Sequence, residues 1–223
     1  MQNTTSQNGI IEAPLGSNRI RKIYNIASNY YFLATLIEKK PLMRGIELAK
    51  IKPNDKVLEV AVGLGFNFLE FLKRVNSENI VHGIDLSPKM LDKTKKLITK
   101  KGFSNFKLNE SDARQLPFPN ETFDVLFNSY MLDLTPLNDF PVVLNEFYRV
   151  LKKGGRLITV NFSKKDCSPV FSEKLYKLTP SLWHGCRPVL MGSFIKQAGF
   201  KNTQREFHNG IFTLPSEIVT GVK

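Results

Sequence analysis

A glycine-rich turn, Ala61-Val62-Gly63-Leu64-Gly65, and two aspartates, Asp85 and Asp112, are the residues of this 223-residue chain whose types and spacing suit chemistry. Glycines in such a turn let a ligand approach the backbone closely, and the start of the next helix offers unpaired N–H groups. A carboxylate about twenty residues further on is placed to accept from both hydroxyls of a ribose. A second one, past the following strand, can accept from the amino group of a base. Together they describe recognition of a nucleoside. Taken singly, each aspartate is equally a common turn residue, and a lone glycine turn is a weak signal.

Other chemistries find less support. A dinucleotide fingerprint needs a third glycine for close helix–strand packing, and Phe66 or Phe68 stands there instead. Neither G-x-S-x-G nor G-x-x-x-x-G-K-[ST] occurs, so nucleophile-elbow hydrolases and P-loop kinases are disfavoured. The two cysteines, Cys167 and Cys186, form no C-x-x-C pair. No metal site is expected, and a cytosolic chain would keep both thiols reduced.

The elements that must position these residues alternate. Residues 19–50 read as helical, with apolar positions at Ile20, Ile23, Tyr24 and Ala27 and again from Leu33 onwards. Short β-branched runs suited to buried parallel strands follow at 56–62, 80–85, 106–108, 123–128 and 156–162. Helical patterns fall between them at 66–75, 88–101 and 138–151. Ser87 is suited to cap the second of these helices and Pro88 to open it; Gly154-Gly155 reads as the end of the third. Near the C-terminus, Val189 to Ala198 reads as a helix. Asn209-Gly210 then signals a hairpin between 203–208 and 211–213, or, if the turn is wider, with 217–222 as the returning strand. This order predicts an α/β domain with helices on both faces of a mostly parallel sheet and an antiparallel hairpin at its end.

Composition places few further limits. An apolar fraction of 42% with 23% charged residues suits a soluble globular chain of one domain. No apolar run reaches the roughly 18 residues of a spanning helix. The polar segment 1–18 reads as a loose tail and not as a signal peptide, which points to a cytoplasmic location. The net charge of +12 admits nucleic acid, an anionic membrane or a phosphate-bearing substrate as partner. Much of it lies on Lys89, Lys93, Lys95, Lys96, Lys100 and Lys101, the outer face of an amphipathic helix, which is ordinarily a solvated face.

VLEVAVGLG (57–65), HGIDLSPKML (82–91), ESDARQLPFPNETFDVLFNSYML (110–132) and LNEFYRVLKKGGRLITVNF (144–162) resemble, in order and spacing, the successive motifs of class I methyltransferases dependent on S-adenosylmethionine (SAM). The resemblance is strongest to the broad group that includes quinone-biosynthesis C-methyltransferases and bacterial phosphatidylethanolamine N-methyltransferases. It implies a Rossmann-like seven-stranded sheet in one domain over 19–223, with lid helices at 19–50 and SAM as cofactor. It further implies that Glu59, Ala61, Gly63 and Gly65 surround the methionine and ribose portion, and that Asp85 holds the ribose hydroxyls with Leu86 against the adenine. Asp112 and Ala113 would meet the adenine edge, Asn128 would lie beside the methionine end, and Tyr24 would belong to the lid. Family members commonly carry glycine where Ala61 stands.

Acceptor contacts are expected from Tyr130, Tyr176, Trp183 and Arg187. His184 is a candidate base, and Arg187 either caps or pairs structurally near the helix after Pro188 or holds a phosphate or carboxylate, which its fork binds bidentately. A small molecule or a lipid headgroup is the expected acceptor, with peripheral contact to an anionic membrane. Two rival readings stay open: a nucleic-acid methyltransferase, although no stacking platform of interleaved basic and aromatic residues is visible, and a non-catalytic SAM-fold binding or partner protein.

Overall fold

The computed structural model describes residues 10–13, 16–27, 32–168, 186–209 and 215–223. The elements run α1 (Ser17–Ala27), α2 (Phe32–Leu48), β1 (Val57–Val60), α3 (Phe66–Leu72), β2 (Val81–Asp85), α4 (Pro88–Lys100), β3 (Phe106–Glu110) and β4 (Phe123–Ser129). Two 3-10 turns, Leu132–Leu134 and Leu137–Asp139, lead into α5 (Phe140–Val150), β5 (Leu151–Phe162), α6 (Gly192–Gln197), β6 (Lys201–His208) and β7 (Ser216–Val222). Among the described residues the strands form one seven-stranded sheet in the order β3-β2-β1-β4-β5-β7-β6. Pairing is parallel from β3 to β5 and antiparallel at β7 with both neighbours. The chain order reverses between β1 and β4, and in open sheets of this kind ligands bind at the carboxyl ends of the strands at that point.

Side-chain alternation divides the core between the two faces. Leu58, Leu126 and Leu157 pack with α5 and α6 through Phe140, Phe147 and Ile195. Val57, Val125, Phe127 and Ile158 pack on the other side with Ile46 of α2, Phe68 and Phe71 of α3 and Ile98 of α4. A sheet buried on both faces needs continuous apolar strands, and β1, VLEV, is buried at all four positions, its glutamate included.

The lid helices expected over 19–50 are α1 and α2. Three expectations change. The segment read as a loose tail is anchored at residues 10–13: Ile10, Ile11 and Ala13 are buried, and Ile10 belongs to the core. Helix α5 stops at Val150, before the glycine pair, and β5 begins at once. Between the pairs Phe123↔Leu151 and Val125↔Arg156 the register shifts, so Gly154-Gly155 lies in an irregularity of the strand. The hairpin is the wider of the two possibilities, with His208 opposite Ser216; Gly210 and the run 211–213 lie outside the described residues.

Candidate functional site

Beyond the carboxyl ends of β1, β2 and β4 opens a cleft of about 1150 Å³, its open mouth included. The turn after β1 forms its floor. Ala61 has φ +65°, Gly63 +53° and Gly65 +80°, the left-handed region that costs a residue with a Cβ roughly 1–2 kcal/mol. A methyl placed on Gly63 would meet no atom within 4 Å, so the backbone there is open to a ligand. Gly65 serves a different purpose. A methyl there would fall 2.7 Å from Cγ2 of Thr94, because the start of α3 packs directly on α4.

Asp85, at the end of β2, faces the turn. Its Oδ2 accepts the N–H of Gly63 at 3.0 Å and its Oδ1 that of Ser87 at 2.8 Å. Two carboxylate oxygens offer about four lone pairs, so acceptor capacity remains on the cleft side. Burial pushes this carboxyl up to about 6, against the pull of the backbone N–H groups. Ser87 caps α4, its Oγ accepting the N–H of Met90 at 3.2 Å, and donates to Oδ1 of Asn25 on α1 at 2.6 Å. That bond and the Arg21–Glu110 ion pair hold α1 over the cleft.

Behind the turn, Glu59 is fully buried. Asn67 donates from Nδ2 to its Oε1 and to Ser129 Oγ, both at 3.1 Å. Burial drives the Glu59 carboxyl well above the carboxylate range, and the nearby Asp85 charge adds to this. Asn128, also buried, donates to the carbonyl of Val60 at 2.9 Å and so ties β4 to the end of β1.

At the other end of the strand row, Asp112 lies in a fork. Arg114 reaches its Oδ2 from Nη2 at 2.7 Å and its Oδ1 from Nε at 3.1 Å, and reaches Asp139 from Nη1 at 3.3 Å. Burial opposes ionisation of Asp112, yet the Arg114 fork holds its carboxyl below the usual range. The cleft is also lined by Tyr24, Glu38, Leu42, Tyr130, Met131 and Leu134. Tyr130 follows β4 with φ +48°, packs at a tilt against Phe162 with centroids 4.7 Å apart and shares a 3.0 Å hydrogen bond with Ser216. Non-glycine residues held at positive φ cluster at functional sites.

A family model described as a methyltransferase domain matches residues 57–155. The ubiquinone/menaquinone biosynthesis C-methyltransferase UbiE of Francisella philomiragia is 30% identical over 193 residues, 81% of this chain and 76% of that protein. The chain belongs to the class I SAM-dependent methyltransferases. The UbiE of Teredinibacter turnerae is 37% identical over 134 residues, 60% of this chain and 52% of that protein. The chain spans about half the length of several such curated relatives. Among solved structures, that of SpnF, described as a [4+2]-cyclase, superposes with a TM-score of 0.75 at 16% identity, covering 97% of this chain and 99% of that one.

SAM is the cofactor of this family, and the residues present fit it: an open backbone at Gly63 and a carboxylate at Asp85 with acceptor capacity facing the cleft. Of the residues expected to surround the cofactor in this methyltransferase, Tyr24, Ala61, Gly63, Asp85, Leu86, Asp112 and Ala113 line the cleft. Glu59, Gly65 and Asn128 stand behind it. Tyr130, expected to contact the acceptor, also lines the cleft, whereas Tyr176, Trp183 and His184 lie outside the described residues.

Arg187 is elsewhere. It is fully buried and donates to the carbonyls of Ile11, of Asp133 at 2.8 Å and of Thr135 at 2.7 Å. Its guanidinium also lies 5.6 Å from the Phe140 ring centroid. An arginine so engaged braces the loop after β4, and the expectation that it holds a phosphate is corrected. Sequence reasoning missed Glu38, Asn67 and Arg114. Only Arg114 left a local trace, two residues beyond Asp112, where its guanidinium can reach back to that carboxylate.

Proposed function

We propose that this methyltransferase moves a methyl group from SAM to a small molecule or lipid headgroup with an apolar body. The observation that carries this reading is the continuity of the cleft. One cavity is lined by the turn and the two aspartates and also by the apolar side chains of Leu42, Met131 and Leu134. In this reading Asp85 accepts from the ribose hydroxyls, Leu86 packs on the adenine, and Asp112 with Ala113 meets its edge. The backbone of Ala61 to Gly63 borders the methionine portion, while Glu59 and Asn128 fix that backbone from behind.

The cofactor when bound supplies a methyl on a sulfonium, open to in-line displacement. The chain's own work is then to align two bound reactants and exclude water, which supplies up to about 7–11 kcal/mol when geometry is good. Mass spectrometry of cell extract incubated with the protein and methyl-labelled SAM tests the reading: a labelled product supports it, and label in none of the extract's small molecules or lipids counts against it. Contact with an anionic membrane draws support from the exposed lysines Lys89, Lys95, Lys96 and Lys100 along α4; co-sedimentation with phosphatidylglycerol vesicles, lost at high salt, is the check.

A second reading is a SAM-fold protein that transfers no methyl group. The strained Ala61 at φ +65° favours it, because the turn that must admit the cofactor carries a side chain. Binding of S-adenosylhomocysteine without turnover would decide for it.

A further inference from the structure

Asp112 takes all its donors from one residue among those described. The Arg114 backbone N–H reaches its Oδ1 at 2.9 Å, Nε reaches the same oxygen at 3.1 Å, and Nη2 reaches Oδ2 at 2.7 Å. A carboxylate has about four lone pairs, so roughly one is left open, on Oδ2. Asp139, the residue before α5, accepts from Nη1 at 3.3 Å and holds the guanidinium from its other side. All three residues line the cleft. Their side chains are 25–41% exposed, and ion pairs at such positions stabilise a fold little. Stability alone gives little reason for so complete a fork. The fork also sets the charge. Burial opposes ionisation of Asp112, yet the hydrogen bonds and charge of Arg114 hold its carboxyl below the usual range. An ionised carboxylate only accepts, whereas a protonated one can also donate. The open lone pair is therefore matched to an N–H donor, and not to a carbonyl oxygen or a bare ring position.

We propose that Arg114 is the positioning residue of base recognition: by filling the other lone pairs of Asp112 it leaves one fixed acceptor, which selects a base carrying an amino group. The assignment rests on the methyl-transfer reading, in which Asp112 meets the adenine edge, and adds the residue that makes this edge selective. Arg114 acts through Asp112 and not on the reacting atoms. Without the fork, a carboxylate 34% exposed is free to turn towards water, and its open lone pair is no longer aimed. A lysine keeps the charge but lacks the planar fork that fixes both oxygens at once.

S-adenosylhomocysteine and its purine-riboside analogue, identical but for the missing 6-amino group, are the probes, titrated calorimetrically into the full chain. Wild type is expected to prefer the amino compound at least about tenfold, the scale of a hydrogen bond to a charged group. Arg114→Gln should lower that preference below about threefold. The loss should fall on S-adenosylhomocysteine, with affinity for the analogue kept within about twofold. A residue that merely braces the loop would weaken both ligands alike, so a preference unchanged in Arg114→Gln overturns the assignment. Arg114→Lys, which also serves should the glutamine variant not fold, is expected to keep only part of the preference. Full preference in the lysine variant overturns the role of the fork. Wild type that binds both ligands equally is a separate result, which removes the contact of Asp112 with the adenine edge and the assignment with it. Binding of neither removes the methyl-transfer reading itself.

Discussion

The carboxylate of Asp85 is bonded to the turn it faces, its Oδ2 accepting the Gly63 N–H at 3.0 Å. One side chain therefore shapes the floor of the cleft and presents acceptor capacity to whatever lies on it.

Asp85→Ala is expected to weaken S-adenosylhomocysteine binding by about 1.5–3 kcal/mol, the scale of a hydrogen bond to a charged group. The wild-type profile should depend on pH as well. Burial raises this carboxyl to about 6, so the folded protein holds a proton there that the unfolded chain has lost above about 4. Its contribution to stability therefore falls as pH rises from about 4 to 6. Ribose hydroxyls donate to the ionised form, so binding should weaken as pH drops below 6 and should release protons near it. Calorimetry in buffers of different ionisation enthalpy measures that release, and none at pH 6 would contradict the contact.

Ala61→Gly should relieve the strain of φ +65°, about 1–2 kcal/mol, less the roughly 0.4–1 kcal/mol that glycine adds to the freedom of the unfolded chain. A gain of up to about 1.6 kcal/mol in urea unfolding is expected, without loss of cofactor affinity. A destabilised variant would mean that the methyl group of Ala61 makes packing contacts worth more than the strain.

Gly65→Ala should behave in the opposite way. Its new methyl would fall 2.7 Å from Thr94 Cγ2 at a backbone φ of +80°, combining strain of about 1–2 kcal/mol with overpacking of about 1–3 kcal/mol. Thr94 also donates to the Gly63 carbonyl at 2.8 Å, so the damage should reach the cofactor turn. Loss of stability together with loss of S-adenosylhomocysteine affinity is the expected pair of results.

Arg187→Met leaves the carbonyls of Ile11 and Thr135 without their buried side-chain donor and that of Asp133 with the backbone N–H of position 187 alone. With about 1–3 kcal/mol for each unsatisfied buried group, a loss of roughly 3 kcal/mol or more is expected in denaturant unfolding, and Arg187→Lys should recover part of it. Wild-type stability in the methionine variant would mean that the arginine is not the brace it looks to be.

What was legible in the sequence was local. Ser87-Pro88 reads as a helix start because cap and first turn are neighbours in the chain, and Asp85 reads as a strand-end carboxylate because the apolar run before it is contiguous. Gly65 was visible as part of a motif, but its contact with Thr94 depends on how two helices pack. Arg187 shows the limit most plainly. A sequence displays its donors but not the distant carbonyls that occupy them. Asn209-Gly210 suggested a tight turn, whereas the pairing of His208 with Ser216 is set by the sheet. Ile10 and Ile11 were apolar within a polar stretch, and nothing nearby indicated the core they would enter.

The bond from Arg187 to the carbonyl of Ile11 joins positions 176 apart in the chain, whereas Gly63 and Asp85 are 22 apart. Closing the longer loop costs more entropy, and contacts of wide separation tend to slow folding. The two halves of the cleft thus have different histories. In the proposed reading, its nucleoside half can take shape from a contiguous stretch, while the other half is completed only when segments near both ends of the chain have met. Substitutions that slow this last docking would leave a molecule able to hold its cofactor before it can receive anything to modify.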